Sequence, residues 1–415
     1  MTEESRSVQL PEGTRLLHIG PHKTGTTTMQ AAFHQNRESL TAQGIHYAGN
    51  RAHPMSAVMA ASSGRVVPSS QPDAGLNRWH KLVEEVREAD ARAVVLSSEF
   101  FCEADDTRVR AILDDLGAES THVVITLRPL IRILGSQWQQ YMQNRMVISY
   151  ETWLDAMLNK PDDGTVTPSF WKRHRHDRLI QRWADAVGVD NLTVIVVDES
   201  DRRMLVRTFE QLLGLTDGTL EPRDAGANRS LTYAEVELLR AFNRSFLDHG
   251  WSHADYTKLV RFGAARHLQE RRPAPDEARV LTPAWAVERG SAIGAEMVEN
   301  IRASGVRVIG SLDMLADPAL APAVGDNPEH VEIPAEVAAR FAAGLVNHLA
   351  DIPGRQAPAS RSVGDIESII RTRHERLKTE GPAYDATPPA AVDDASRADL
   401  ARELGRRLGR RIRPR

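Results

Sequence analysis

The chain has 415 residues, 41% of them apolar, and a formal net charge of -4. That composition excludes a chain disordered throughout, and so small a net charge gives no global field to attract nucleic acid. Cys102 is the one cysteine, which excludes an intrachain disulfide or a cysteine-based metal cluster and fits a reducing compartment. The first fifteen residues carry acids and no apolar h-region, and no run of about 18 apolar residues occurs, so the expectation is a soluble, cytoplasmic protein without an ordinary signal peptide.

In chain order, the apolar run 15–19 meets a loop at 20–25, after which 26–36 winds as a helix. A helix over 76–89 leads to the apolar run 93–96, and another over 107–116 leads to 122–127. A long helix over 130–144 and an amphipathic one over 177–187 precede the run 192–197, and a helix over 202–213 completes the alternation. Short, continuously apolar runs between amphipathic helices are the pattern of parallel strands buried on both faces. The expected fold class is therefore α/β, a parallel sheet flanked by helices. Further helices are expected over 233–246, 283–303 and 334–349, with a short strand-like run at 306–309. The organisation read from this is a core over 14–245 and a mostly helical extension over 246–381, suited to acceptor binding. A linker and basic tail over 382–415 follow.

Chemistry concentrates in the first loop, Gly20-Pro21-His22-Lys23-Thr24-Gly25-Thr26-Thr27-Thr28. A glycine-rich turn between strand and helix aims several backbone N–H groups at one point, and the helix N-terminus adds a field that favours an anion. The spacing of Gly20 and Gly25 is that of a P-loop, but the common P-loop places lysine directly after the second glycine. Here Thr26 stands there and the lysine, Lys23, lies inside the loop. The chain has only six lysines, which makes that placement informative. An ordinary glycine turn is the bland alternative, disfavoured by the strand and helix on its two sides.

A second element ends the run 123–127 in Arg128-Pro129, with Ser136 eight residues past the arginine on the following helix. An arginine grips a phosphate with two parallel charge-assisted hydrogen bonds, and a serine further along the helix adds a third. Arg132, four residues from each, shares their neighbourhood.

Pro-x-Lys-Thr-Gly-Thr-Thr at 21–27, followed by Arg-x₇-Ser at 128–136, resembles the PAPS-dependent sulfotransferases of bacterial, carbohydrate type, which have a P-loop fold. The resemblance spans about residues 14–245. It implies 3'-phosphoadenosine 5'-phosphosulfate (PAPS) as the donor, with no required metal. It places Lys23 beside the bridging oxygen of the phosphosulfate and Thr26 and Thr27 on the 5'-phosphate. Gly25 allows close approach, with His22 and Thr24 in the same loop. Arg128 and Ser136 fall on the 3'-phosphate. Arg229, within Asn228-Arg229-Ser230, matches a later basic loop that closes that side; the simpler reading is that Ser230, or Thr232 with Glu235, caps the next helix.

A hydroxyl acceptor needs a base. Glu99 follows the strand 93–96 and Ser97-Ser98, at the carboxyl end of a strand where open α/β sheets bind ligands. The alternative for Glu99 is a carboxylate favoured by a helix start. His18, His22 and His122 read respectively as a core residue, a cover for the donor and the start of a strand. Cys102 reads as an inert thiol. The run Lys172-Arg173-His174-Arg175-His176 reads as a solvated loop, or as an attractor of an anionic acceptor. The expected partner is a small-molecule or glycan acceptor, such as a sugar or glycolipid hydroxyl, and no nucleic acid. The tail, with seven arginines over 402–415 and Leu400, Leu404 and Leu408 four apart, suits peripheral contact with an anionic membrane or a solvated tail. Two other functions stay open. A P-loop ATPase or small-molecule kinase is suggested by Asp198-Glu199 after an apolar strand, and a non-catalytic nucleotide-binding protein is the third reading.

Overall fold

A computed structural model describes residues 8–64, 74–161, 166–221 and 229–349. The linker and basic tail, and the part of the expected helical extension over 350–381, lie outside the described residues.

The fold is built on a six-stranded, all-parallel sheet in the order β2-β3-β1-β4-β5-β6. Its strands are β1 (Thr14–Ile19), β2 (Ile45–Tyr47), β3 (Ala93–Ser97), β4 (Thr121–Leu127), β5 (Leu192–Val196) and β6 (Arg307–Ile309). The helices up to residue 248 are α1 (Thr26–Gln35), α2 (Arg37–Ala42), α3 (Met55–Ser63), α4 (Ala74–Glu88), α5 (Asp106–Leu116), α6 (Leu130–Met142), α7 (Tyr150–Leu158), α8 (Ser169–His174), α9 (His176–Val187), α10 (Met204–Leu213) and α11 (Tyr233–Asp248).

The apolar runs of the central strands sort their side chains by alternation. Leu17 and Ile19 of β1 join Val123 and Ile125 of β4 in one core with α5 and α9. Leu16 and Val124 face the other way, into a core with α1 and α10. A third core lies off the sheet, where α6 and α7 pack with α11 and the helices Ala284–Ser304 and Ala335–Leu349 around buried Trp138 and Trp153.

The expected α/β class and its main strand–helix alternation are present. The expectation lacks β2, which pairs with β3, and two further features differ from it. The alternation does not end near residue 215, because the run near 306 pairs with β5 as the edge strand β6. The run 172–176 is not a solvated loop: Arg173, His174 and His176 are all buried, with α8 and α9 meeting at Arg175. The period of α9 explains this, since His176, Ile180, Trp183 and Val187 lie on its buried face.

Candidate functional site

Strand order reverses beside β1, which pairs with β3 on one side and β4 on the other. Open α/β sheets leave a crevice at the carboxyl ends of strands at such a switch. Register brings three chain segments to it, since His18 lies opposite Ser97 and Ile19 opposite Ile125. The loop after β1, the Ser98-Glu99 step after β3 and Arg128 after β4 therefore share one edge.

The loop turns at Lys23, whose φ of 73° lies in the left-handed region, and again at Gly25, with φ of 93°. Only glycine adopts such angles freely, so Lys23 holds a costly conformation that the surrounding hydrogen bonds must enforce. The Thr24 hydroxyl donates to the Pro21 carbonyl at 2.7 Å and lies 3.0 Å from the Thr126 hydroxyl of β4. The Thr26 hydroxyl donates to the Gly20 carbonyl at 2.8 Å. These two hydroxyls are spent on the loop itself, so what Thr26 offers a ligand is its backbone N–H. Thr27 is exposed. Gly25 caps α1 without a side-chain hydrogen bond, and no acidic residue occupies the first turn, which leaves the helix N-terminus favourable to an anion.

Arg128 Nη1 donates to the Lys23 carbonyl at 2.7 Å, joining two motifs 105 residues apart. Burial lowers the Lys23 pKa, and the nearby Arg128 charge lowers it further. Among the described residues the Lys23 ammonium has no carboxylate partner. Arg128 is likewise depressed to about 10, first by burial and then by Arg132. Glu199 ion-pairs with Arg128 and, at 3.2 Å, with Arg132. Ser136 stands half-buried on α6, its hydroxyl donating to Ile133 at 3.0 Å.

Glu99 opens a short 3₁₀ turn, but the cap is Ser98, whose hydroxyl accepts from the Phe100 N–H at 3.2 Å. The Glu99 carboxylate instead accepts from Gln30 Nε2 of α1 at 3.2 Å and lies 3.4 Å from His53 Nε2. His53 Nε2 is also 2.8 Å from the Ser98 hydroxyl, and its ring stacks on Phe100 with centroids 5.7 Å apart. The His22 ring meets Phe100 edge-on at 5.5 Å. Burial holds His22 well below its ordinary pKa, with Arg173, Lys23 and His53 adding to the effect. Burial also lowers His53, opposed by the Glu99 charge. Both rings therefore favour the neutral form at neutral pH.

The site thus gathers His22, Lys23, Thr24, Gly25, Thr26, Thr27 and Arg128 around one sheet edge, with Glu99 beside them, while the one hydrogen bond of Ser136 stays within α6. Arg229 is engaged differently: its guanidinium donates to Glu235 at 2.7 and 2.6 Å and to the Arg271 and Leu268 carbonyls. Thr232 and Glu235 form a complete capping box there, the simpler of the two readings of that segment. His53 and Gln30 carry no spacing signal that marks them, and only packing brings them in; Glu199, marked in the sequence as an acid after an apolar strand, pairs with Arg128 and Arg132. His18 is a core residue, 2.8 Å from Ser97 and 3.3 Å from Thr126. His122 lies 2.9 Å from Thr193, and buried Cys102 has its thiol pushed up to about 12. Among the described residues, no helix is long and apolar enough to cross a membrane.

No protein-family model and no curated protein matches the chain. Among solved structures, a sulfotransferase from Alicyclobacillus acidocaldarius aligns at 15% identity and a TM-score of 0.36, covering 60% of this chain and 95% of its own. The signal recognition particle 54 kDa protein from Aeropyrum pernix K1, in complex with GDP, aligns at 14% identity and a TM-score of 0.25, covering 91% of this chain and 79% of its own.

Proposed function

We propose that the chain is a PAPS-dependent sulfotransferase that sulfates an acceptor hydroxyl, of a sugar or glycolipid, by in-line displacement. The observation that carries this reading is the hydrogen bond from Arg128 to the Lys23 carbonyl, which ties the phosphosulfate-like loop to the Arg-x₇-Ser element. A nucleotide with anionic groups at both its 5' and 3' ends suits a crevice offering an uncapped helix N-terminus, a half-buried lysine without a carboxylate partner among the described residues, and a pair of arginines. The donor supplies a sulfuryl group already attached to a good leaving group, a phosphate.

The residues divide the remaining work. Backbone N–H groups at the start of α1 hold the 5' end, and Lys23 neutralises charge at the leaving oxygen, an effect strengthened by its low-dielectric surroundings. Arg128 and Ser136 hold the 3'-phosphate, with Glu199 yielding its place on the arginine. Glu99 receives the acceptor's proton, while Gln30 and His53 fix the carboxylate's orientation, so that less ordering is needed when the acceptor arrives.

The test is thermal unfolding with nucleotides. Stabilisation by adenosine 3',5'-bisphosphate without Mg²⁺, exceeding that by ATP with Mg²⁺, is the expected result, because only a ligand of the folded state raises the midpoint. The reverse ranking would overturn the reading in favour of a nucleoside triphosphatase or kinase.

A further inference from the structure

Beside Glu99, on the side of β2, a cavity of about 700 Å³ opens between the chain preceding α3 and the face of α4. Its size falls within the range of small-molecule sites, roughly 300–1,000 Å³. His53 belongs to both places: it lines the cavity and stands 3.4 Å from the Glu99 carboxylate. His53 thus connects the cavity to the Glu99 carboxylate.

The cavity's charge is lopsided. Arg51, Arg78 and Lys81 line it against one acid, Glu85. That acid is already engaged, accepting from the Gly49 N–H at 2.8 Å and lying 2.8 Å from His46 Nε2. Arg78 touches Ser56 at 3.2 Å, whereas Arg51 and Lys81 have no ion pair among the described residues. Cations facing a concave site from both of its walls, with its one acid engaged elsewhere, raise the local concentration of anions. Leu82 and Met55 add an apolar surface of the kind that packs against a sugar ring.

We infer that this cavity, joined to Glu99 through His53, is the acceptor site and takes a hydroxylated anion of about monosaccharide size, a sugar bearing a carboxylate or a phosphate. The inference rests on the sulfotransferase reading for its role, but the binding it asserts is measurable without turnover.

Titration calorimetry on the full chain, using glucuronic acid, glucose 6-phosphate and methyl glucoside as probes, tests it. At least one anion binds more tightly than the neutral glycoside, and its presence shifts the His53 ring resonances. Replacing Arg78 and Lys81 together (Arg78→Gln, Lys81→Gln) weakens that anion by about tenfold with an unchanged unfolding midpoint. A carboxylate source and a phosphate source are distinguished by which probe responds. No binding by either anion, equal binding of the neutral glycoside, an unaffected double variant or unmoved His53 resonances each overturns the inference. The nucleotide titration is read separately. Bisphosphate binding without anion binding defeats this inference alone, whereas anion binding without bisphosphate binding leaves an anion site and defeats the sulfotransferase reading.

Discussion

Glu99 is held by two neighbours of different kinds, an amide from α1 and an imidazole from the loop before α3. A carboxylate needed only to complement a helix start would not require either, and Ser98 already provides the cap. Glu99→Gln keeps the shape and the loop but removes the proton acceptor, so turnover falls by about 10²–10⁴ while stabilisation by the bisphosphate is retained. Turnover close to that of the parent would remove Glu99 from the reaction. Glu199 calls for the opposite experiment. Its carboxylate occupies the cationic faces of Arg128 and Arg132, where the proposed 3'-phosphate must bind. Glu199→Gln lifts that competition and the repulsion of an incoming anion, so bisphosphate affinity rises by roughly three- to tenfold. Weaker binding in the titration would mean that Glu199 orients Arg128 instead. Both tests concern residues with unequal legibility: the position of Glu99 at a strand end is readable from the chain, while the pairing of Glu199 depends on which strand lies beside β4.

Elements differ in the same way. The loop and α1 are legible because a phosphate-type turn imposes local geometry, and local geometry leaves a local sequence trace. The cavity leaves none, since it is bounded by α4 and by a loop whose residues gain meaning only from their neighbours. β6 is three residues long and half-buried, too short to show a period, and its membership of the sheet is decided by pairing with β5. At Arg229 the charge read from the sequence has an internal partner. Glu235 is fully buried and receives Arg229, Arg271 and the Thr232 N–H. Breaking a buried ion cluster by removing one partner strands the others, so Glu235→Gln lowers stability by about 3–5 kcal/mol in chemical denaturation. Arg229→Ala is expected to lower the unfolding midpoint without abolishing bisphosphate binding. Loss of binding at unchanged stability would restore Arg229 to the donor site.

At the scale of the folded unit, buried imidazoles set the response to acid. His18 is fully enclosed in the middle of the sheet, and burial drives its pKa from 6.5 to about 3. His176, also enclosed, is lowered to about 4 by burial, despite the opposing charge of Asp177. In the unfolded chain both would titrate near the ordinary histidine value. Between that value and the folded one the unfolded chain binds more protons, so stability is full above about pH 6.5 and declines as pH falls. The unfolding midpoint should therefore drop by several degrees over the upper part of this interval, from about pH 6.5 to about 5, before carboxylates begin to protonate. His176→Leu separates this cause from the carboxylates, because neither ring nitrogen of His176 has a hydrogen-bond partner among the described residues. The variant removes a group that must stay neutral and gives up no hydrogen bond of its ring, so its midpoint falls less steeply with acid than the parent's. An identical slope in both would shift the acid sensitivity from buried histidine to the ion pairs, the enclosed pair of Arg173 and Glu103 among them.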